Sequence, residues 1–128
     1  MSDINHARMM LTLASMDLKA LEGMGDPGVF DEGIVGFHAQ QAVEKALKAW
    51  LSFVSVQYPK THDLELLLSL LANHGQTVPG EFQELTALSD FAVQYRYEAF
   101  GSPGEELDRA KVAGQVTQVI NHVMKFIS

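Results

Sequence analysis

Residues 33–53 read GIVGFHAQQAVEKALKAWLSF, and the spacing of their apolar side chains decides the fold class. At 100° per residue, Ala39, Ala42, Val43, Ala46, Leu47, Trp50, Leu51 and Val54 fall on one side, the pattern of an amphipathic helix with a broad apolar face. Such a helix is the expected central packing element. His38, Gln41, Lys45, Lys48 and Ser52 lie opposite and give an acidic chain a local band of positive charge. The plainest reading of that band is a solvated helix flank. Glu44 stands four residues before Lys48 in the orientation that stabilises a helix, so one lysine charge is partly met locally.

Upstream, residues 4–23 place Ala7, Met10, Leu11, Ala14, Leu18 and Leu21 on one face, with Ser2 or Asp3 as the cap and Gly23, Gly25 and Pro27 as the stop. Asp17 sits at the edge of that face, where a carboxylate needs either solvent or a cationic partner. Residues 26–32 form a turn leading into the central helix. Downstream, the chain leaves the helix before Tyr58-Pro59, because the residue before proline is pushed out of the helical region. A third helix follows over residues 64–73, capped by Thr61, with Asp63 favourable near its positive end. His62 therefore lands at a helix N-terminus, where amide donors also welcome an anion.

Pro79 suits the start of a fourth helix, expected over residues 81–97, with Phe82, Leu85, Leu88, Ser89, Ala92 and Tyr95 as its core stripe. Arg96 projects about 20° from Leu85 by ideal rotation. A guanidinium aimed inward must find carboxylate or carbonyl acceptors, or lay its stem on the core with its head in a cleft. Asp17 and Glu44 are the intramolecular candidates for such an ion pair with Arg96. A ligand contact is the other reading. The Gly-Ser-Pro-Gly run at 101–104 is a loop, and a last helix over residues 105–127 is led by two acids and turns Val112, Ala113, Val116, Val119, Ile120, Val123 and Ile127 inward.

The whole chain is 128 residues with a formal charge of −7 and no cysteine. That length fits one domain over residues 1–128 with a real core. The missing cysteines exclude disulfides, thiolate metal sites and a cysteine nucleophile. The charge argues against general electrostatic binding to DNA or RNA, although a local basic groove still fits a nucleotide or a short strand. No stretch reaches the roughly 20 apolar residues of a bilayer span and no signal-peptide pattern opens the chain, so a cytoplasmic protein is expected. No run alternates as a strand does, and an all-α antiparallel bundle of about five helices follows. None of the histidines His6, His38, His62, His74 and His122 pairs with another at metal-ligand spacing, and no phosphate-cradling glycine motif is present. Neither a metal nor a cofactor is expected, and any phosphate is held by side chains.

Four pieces occur in order along nearly the entire chain: Asp17-Leu18, FHAQQAVEKALKAWL over 37–51, THDL over 61–64, and Arg96-Tyr97. Together they resemble the HEPN-domain proteins, a helical family proposed to bind nucleotides. The resemblance implies an up-and-down helical bundle, usually a homodimer, with a cleft for a nucleotide or RNA. It also implies a partner: prokaryotic relatives are often encoded beside a minimal nucleotidyltransferase, in two-component and frequently toxin–antitoxin systems. Some branches are metal-independent ribonucleases that use an arginine and a histidine four to six residues apart. This chain departs from that pattern, since the next histidine after either Arg96 or Arg109 is the distant His122, and Glu98 alters the turn after Arg96-Tyr97.

The reading is therefore a nucleotide- or nucleic-acid-binding partner of a minimal nucleotidyltransferase, with no catalytic residue assigned. Lys45, Lys48 and Arg96 supply charge, His62 a donor, and Tyr97 or Tyr95 a ring for stacking. The alternatives are a protein-docking module without a ligand and, third, a ribonuclease using His62 or His38 with Arg96.

Overall fold

The computed structural model describes residues 3–94 and 107–127. Among them α1 runs Ile4–Glu22, α2 Glu32–Phe53 and α3 Leu64–Asn73, followed by a 3₁₀ segment Gly80–Asp90, a single turn α4 Phe91–Gln94, and α5 Arg109–Ile127, with no strand. The all-α bundle expected from the periodicity is what forms.

The helix α2 packs against each of the other elements, and α1 and α5 also pack on each other. No residue from 32 to 54 is exposed. Its apolar face is buried as expected, with Trp50, Leu47 and Leu51 among the largest fully buried side chains. The opposite flank is not a solvated one: His38, Gln41, Lys45, Lys48 and Ser52 are all half-buried, because α1 and the start of α3 rise on either side. Gly36 lets α4 approach, since a Cβ there would lie 2.3–2.5 Å from three ring atoms of Phe91.

Both α2 and α3 end in the same hydrogen-bonded motif, in which a left-handed residue just past the helix lets two amides turn back onto its last carbonyls. For α3 that residue is Gly75 at φ +84, with Gln76 N donating to Leu71 O at 3.0 Å and Gly75 N to Ala72 O at 3.2 Å. For α2 it is Ser55 at φ +63, with Val56 N on Leu51 O at 2.9 Å and Ser55 N on Ser52 O at 3.2 Å. A β-carbon in that conformation costs about 1–2 kcal/mol, against about 0.5–1 kcal/mol of extra chain entropy for glycine. Ser55→Gly is therefore expected to stabilise the fold by about 0.5–1 kcal/mol, read as a higher urea midpoint at unchanged slope.

Three boundaries differ from the sequence expectation. Residues 80–90 are 3₁₀ rather than α-helix: Phe82, Leu85 and Leu88 are buried at a strict spacing of three, which makes one stripe in a helix of three residues per turn and a drifting one at 3.6. The cap of α3 is Asp63, not Thr61. Its carboxylate accepts from Glu65 N at 3.0 Å and Leu66 N at 3.3 Å, while Thr61 Oγ1 accepts from Asp63 N and so shapes the turn before the cap. The last helix begins at Arg109, where Asp108 caps it by accepting Lys111 N at 3.0 Å. Of the inward positions expected there, all but the half-buried Ala113 are buried.

Arg109 has a role the sequence did not disclose. Its guanidinium donates to Met24 O at 2.9 Å and Phe30 O at 2.7 Å, tying the α1–α2 connection to the start of α5. Glu32 adds a carboxylate bond to Leu107 N across the same junction.

At the far end of α2 the rings of Trp50, Phe82 and Phe126 surround His122, with centroids 5.0, 5.5 and 5.4 Å from the imidazole. His122 Nε2 is buried without a hydrogen-bond partner. Burial pushes its pKa below the ordinary 6.5, nearby Lys125 pushes the same way, and Glu81 opposes them. With the folded value lowered, the unfolded chain takes up this proton first. The contribution to stability is therefore present above about pH 6.5 and is lost as pH falls toward the folded value. Urea unfolding followed through the only tryptophan should show a midpoint that drops from pH 7 to pH 5, and His122→Phe should flatten that drop.

Candidate binding strip on α2

The polar flank of α2 carries two nearly buried carboxylate centres. Asp17 of α1 accepts from Lys45 Nζ at 2.7 Å and lies 3.1 Å from His38 Nδ1. Glu44, 7 % exposed, accepts from Lys48 Nζ at 3.0 Å, from Gln40 Nε2 at 2.8 Å and from His62 Nδ1 at 2.7 Å. Each carboxylate thus meets one lysine and one histidine, and Gln41, between the two centres, donates to Gln40 Oε1 at 2.7 Å. The Glu44–Lys48 pair is the one expected from their four-residue spacing, and Asp17 has the cationic partner its position required.

His62 is held at both ends by α2. Its backbone carbonyl accepts from Gln40 Nε2 at 3.1 Å and its Nδ1 faces Glu44. A carboxylate accepts only, so Nδ1 carries the proton and Nε2 is the nitrogen left to solvent. The imidazole is 57 % exposed, whereas the Lys48 side chain beside it is 12 % exposed.

Two consequences follow for an anion. With neutral histidines, two ammonium groups stand against two carboxylates, so the band expected to be positive is balanced within itself. The N-terminus of α3 offers nothing further: Leu64 N donates to Ser89 Oγ at 3.0 Å, Glu65 and Leu66 N to Asp63 Oδ1, and Leu67 N to Asp63 O. All four amides that an anion would use are engaged.

Lys45, Lys48 and His62 therefore come together on one strip, with Asp17 and Glu44 between them. Arg96 and Tyr97, together with Tyr95, lie outside the described residues, and so does any pairing of Arg96 with Asp17 or Glu44. Among the described residues no group of three or more His, Cys, Asp or Glu side chains is placed to hold a metal. The sequence reading missed Gln40 and gave Gln41 no role beyond its place on the polar flank. A glutamine four residues before a glutamate that must be buried was the available signal, since such a pair satisfies itself within one helix turn.

A family profile described as HEPN domain matches residues 7–127. The chain belongs to the HEPN domain family. The match runs from Ala7, within α1, to the end of α5, and the strip of this HEPN bundle falls within it. No curated protein and no solved structure matches the chain. Among the described residues no helix of the HEPN bundle is long and apolar enough to cross a membrane.

Proposed function

We propose that this HEPN protein is the binding partner of a minimal nucleotidyltransferase in a two-component, toxin–antitoxin-like system, and that the polar strip of α2 is the surface by which it docks. The supporting observation is the state of the strip's charges. They are half-buried, already paired and held in place by Gln40 and Gln41, so a protein surface that extends those pairs meets a rigid, largely desolvated patch. Preordered side chains lose little freedom on association. A bare phosphate, in contrast, would have to draw Lys45 or Lys48 from a carboxylate. The arginine–histidine spacing of the family's ribonucleases is missing from the sequence, which favours a binding role over catalysis.

Co-expression with a minimal nucleotidyltransferase tests the reading. The double variant Lys45→Gln, His62→Ala keeps Asp17 paired with His38 and Glu44 paired with Lys48, so it should fold normally. It should nevertheless retain little of the partner on co-purification. Undiminished co-purification would remove the strip from the interface.

A second reading, a nucleotide or short RNA bound on the same strip, draws on the exposed Nε2 of His62 beside Lys48, with Arg96 and Tyr97 as further contacts. Calorimetric titration with ATP, GTP and short RNA should then give saturable heat that His62→Ala reduces. No heat at millimolar ligand would exclude it. Homodimerisation belongs to the same proposal and draws on the exposed Met9 and Met16 of α1 and Met124 of α5. Light scattering at micromolar concentration should give twice the chain mass, and a monomeric mass would contradict it.

A further inference from the structure

A depression of about 450 Å³ lies at the C-terminal end of α2 and is lined by Asp3, His6, Ser52, Ser55, Val56, Gln57 and Tyr58. We propose that it is a binding site for an ammonium group, carried either by a free polyamine or by a lysine side chain of another protein.

Three observations support a cation there. The lining residues carry one carboxylate, three hydroxyls and an amide and include no lysine or arginine, and the Nε2 of their one histidine, His6, is engaged with Tyr58 OH. Asp3 uses only Oδ1 in capping α1, accepting His6 N at 3.0 Å, and its second oxygen has no partner among the described residues. The depression also sits at the negative end of a 22-residue helix whose last turn has no basic residue, and the positive end of α1 that meets it there is answered by its own cap, the Asp3 carboxylate.

The fourth observation is the strain at Ser55. At the matching position of α3 the chain uses glycine, but here a serine keeps the left-handed conformation at φ +63 and lines the depression. Strain of this kind persists where the side chain has a use. The rim opposite is fixed: Tyr58 OH lies 3.2 Å from His6 Nε2, and Lys48 Nζ stands 5.5 Å from the centroid of the Tyr58 ring. That ring face is already occupied by a cation, so the ligand's ammonium is left to the oxygens of Asp3, Ser52, Ser55 and Gln57.

The test is an NMR titration of the full chain at low salt with spermidine and, in a parallel arm, with an acetyl-Gly-Lys-Gly-amide peptide. Saturable shifts confined to residues 3–6 and 52–58 are expected in the millimolar range. Binding of spermidine alone assigns a free polyamine, and binding of both probes assigns a lysine side chain as well. Asp3→Asn keeps a good helix cap and should weaken binding roughly fivefold. Asp90→Asn removes the same charge outside the depression and should leave affinity unchanged. Ser55→Gly should weaken binding while raising the urea midpoint, a combination a purely structural serine would not give. The proposal is overturned if neither amine gives saturable shifts, if Asp3→Asn and Asp90→Asn act equally, or if Ser55→Gly leaves affinity intact.

Discussion

Glu44→Ala is expected to lower stability by about 3–5 kcal/mol, the cost of leaving a partly buried cation without its counter-ion. The carboxylate accepts from three side chains on two segments, and removing it strands the Lys48 ammonium, the Gln40 amide and the His62 ring at once. For a domain of this size the melting temperature should fall by about 10–20 °C. His62→Ala removes only the exposed side of the cluster and should cost about 0.5–1 kcal/mol. The double variant Glu44→Met, Lys48→Met should recover much of the loss, because replacing both partners by apolar groups leaves no uncompensated charge. Thermal unfolding of the four proteins distinguishes these cases. A loss below 1 kcal/mol for Glu44→Ala would mean that the cluster is solvated and interchangeable.

Gly36→Ala should cost about 1–2 kcal/mol net even though alanine is the better helix former. The gain in helix propensity is about 1 kcal/mol. Against it stands a Cβ placed 2.3–2.5 Å from the Cδ1, Cε1 and Cγ atoms of Phe91, all in one rigid ring, so the two elements must separate or the ring must leave. Overpacking of that kind costs about 1–3 kcal/mol and sometimes more. Adding Phe91→Leu to Gly36→Ala should restore part of the stability, and a double-mutant cycle over the two positions should give a coupling near the size of the single effect. Additive effects would show that α4 does not rest on α2 at this point.

Much of the bundle could be read directly from sequence, because its signals are local. The inner face of α2 and the bounds of α3 follow from apolar spacing, and the Glu44–Lys48 pair follows from a four-residue offset. Local rules fail where the deciding partner is distant in the chain. Lys45 looked like a free cation until Asp17 came alongside on α1, and Arg109 was only an arginine with the wrong histidine spacing until two carbonyls of the α1–α2 connection reached it. Gly36 could not be distinguished from an ordinary helix glycine without Phe91. The 3₁₀ segment was misread for a different reason. Apolar residues at 82, 85 and 88 satisfy both periods over so short a run, and only the packing against α2 and α3 selects the tighter one.

At the candidate site three of the five expected binding residues are among those described, and what the sequence did not disclose is their charge balance. Lys45, Lys48 and His62 do share a strip, yet the sequence presented them as a positive band, while the fold sets Asp17 and Glu44 between them. That difference moves the functional reading from an anion pocket toward a docking surface.

The reactivity of His62 toward diethylpyrocarbonate, measured in the free protein and in the presence of the proposed nucleotidyltransferase partner, probes that surface most directly. The exposed Nε2 should react readily in the free chain and be protected in the complex, while His74, exposed at the other end of α3, stays reactive in both. Equal modification of His62 in the free and bound protein would contradict docking through the α2 strip.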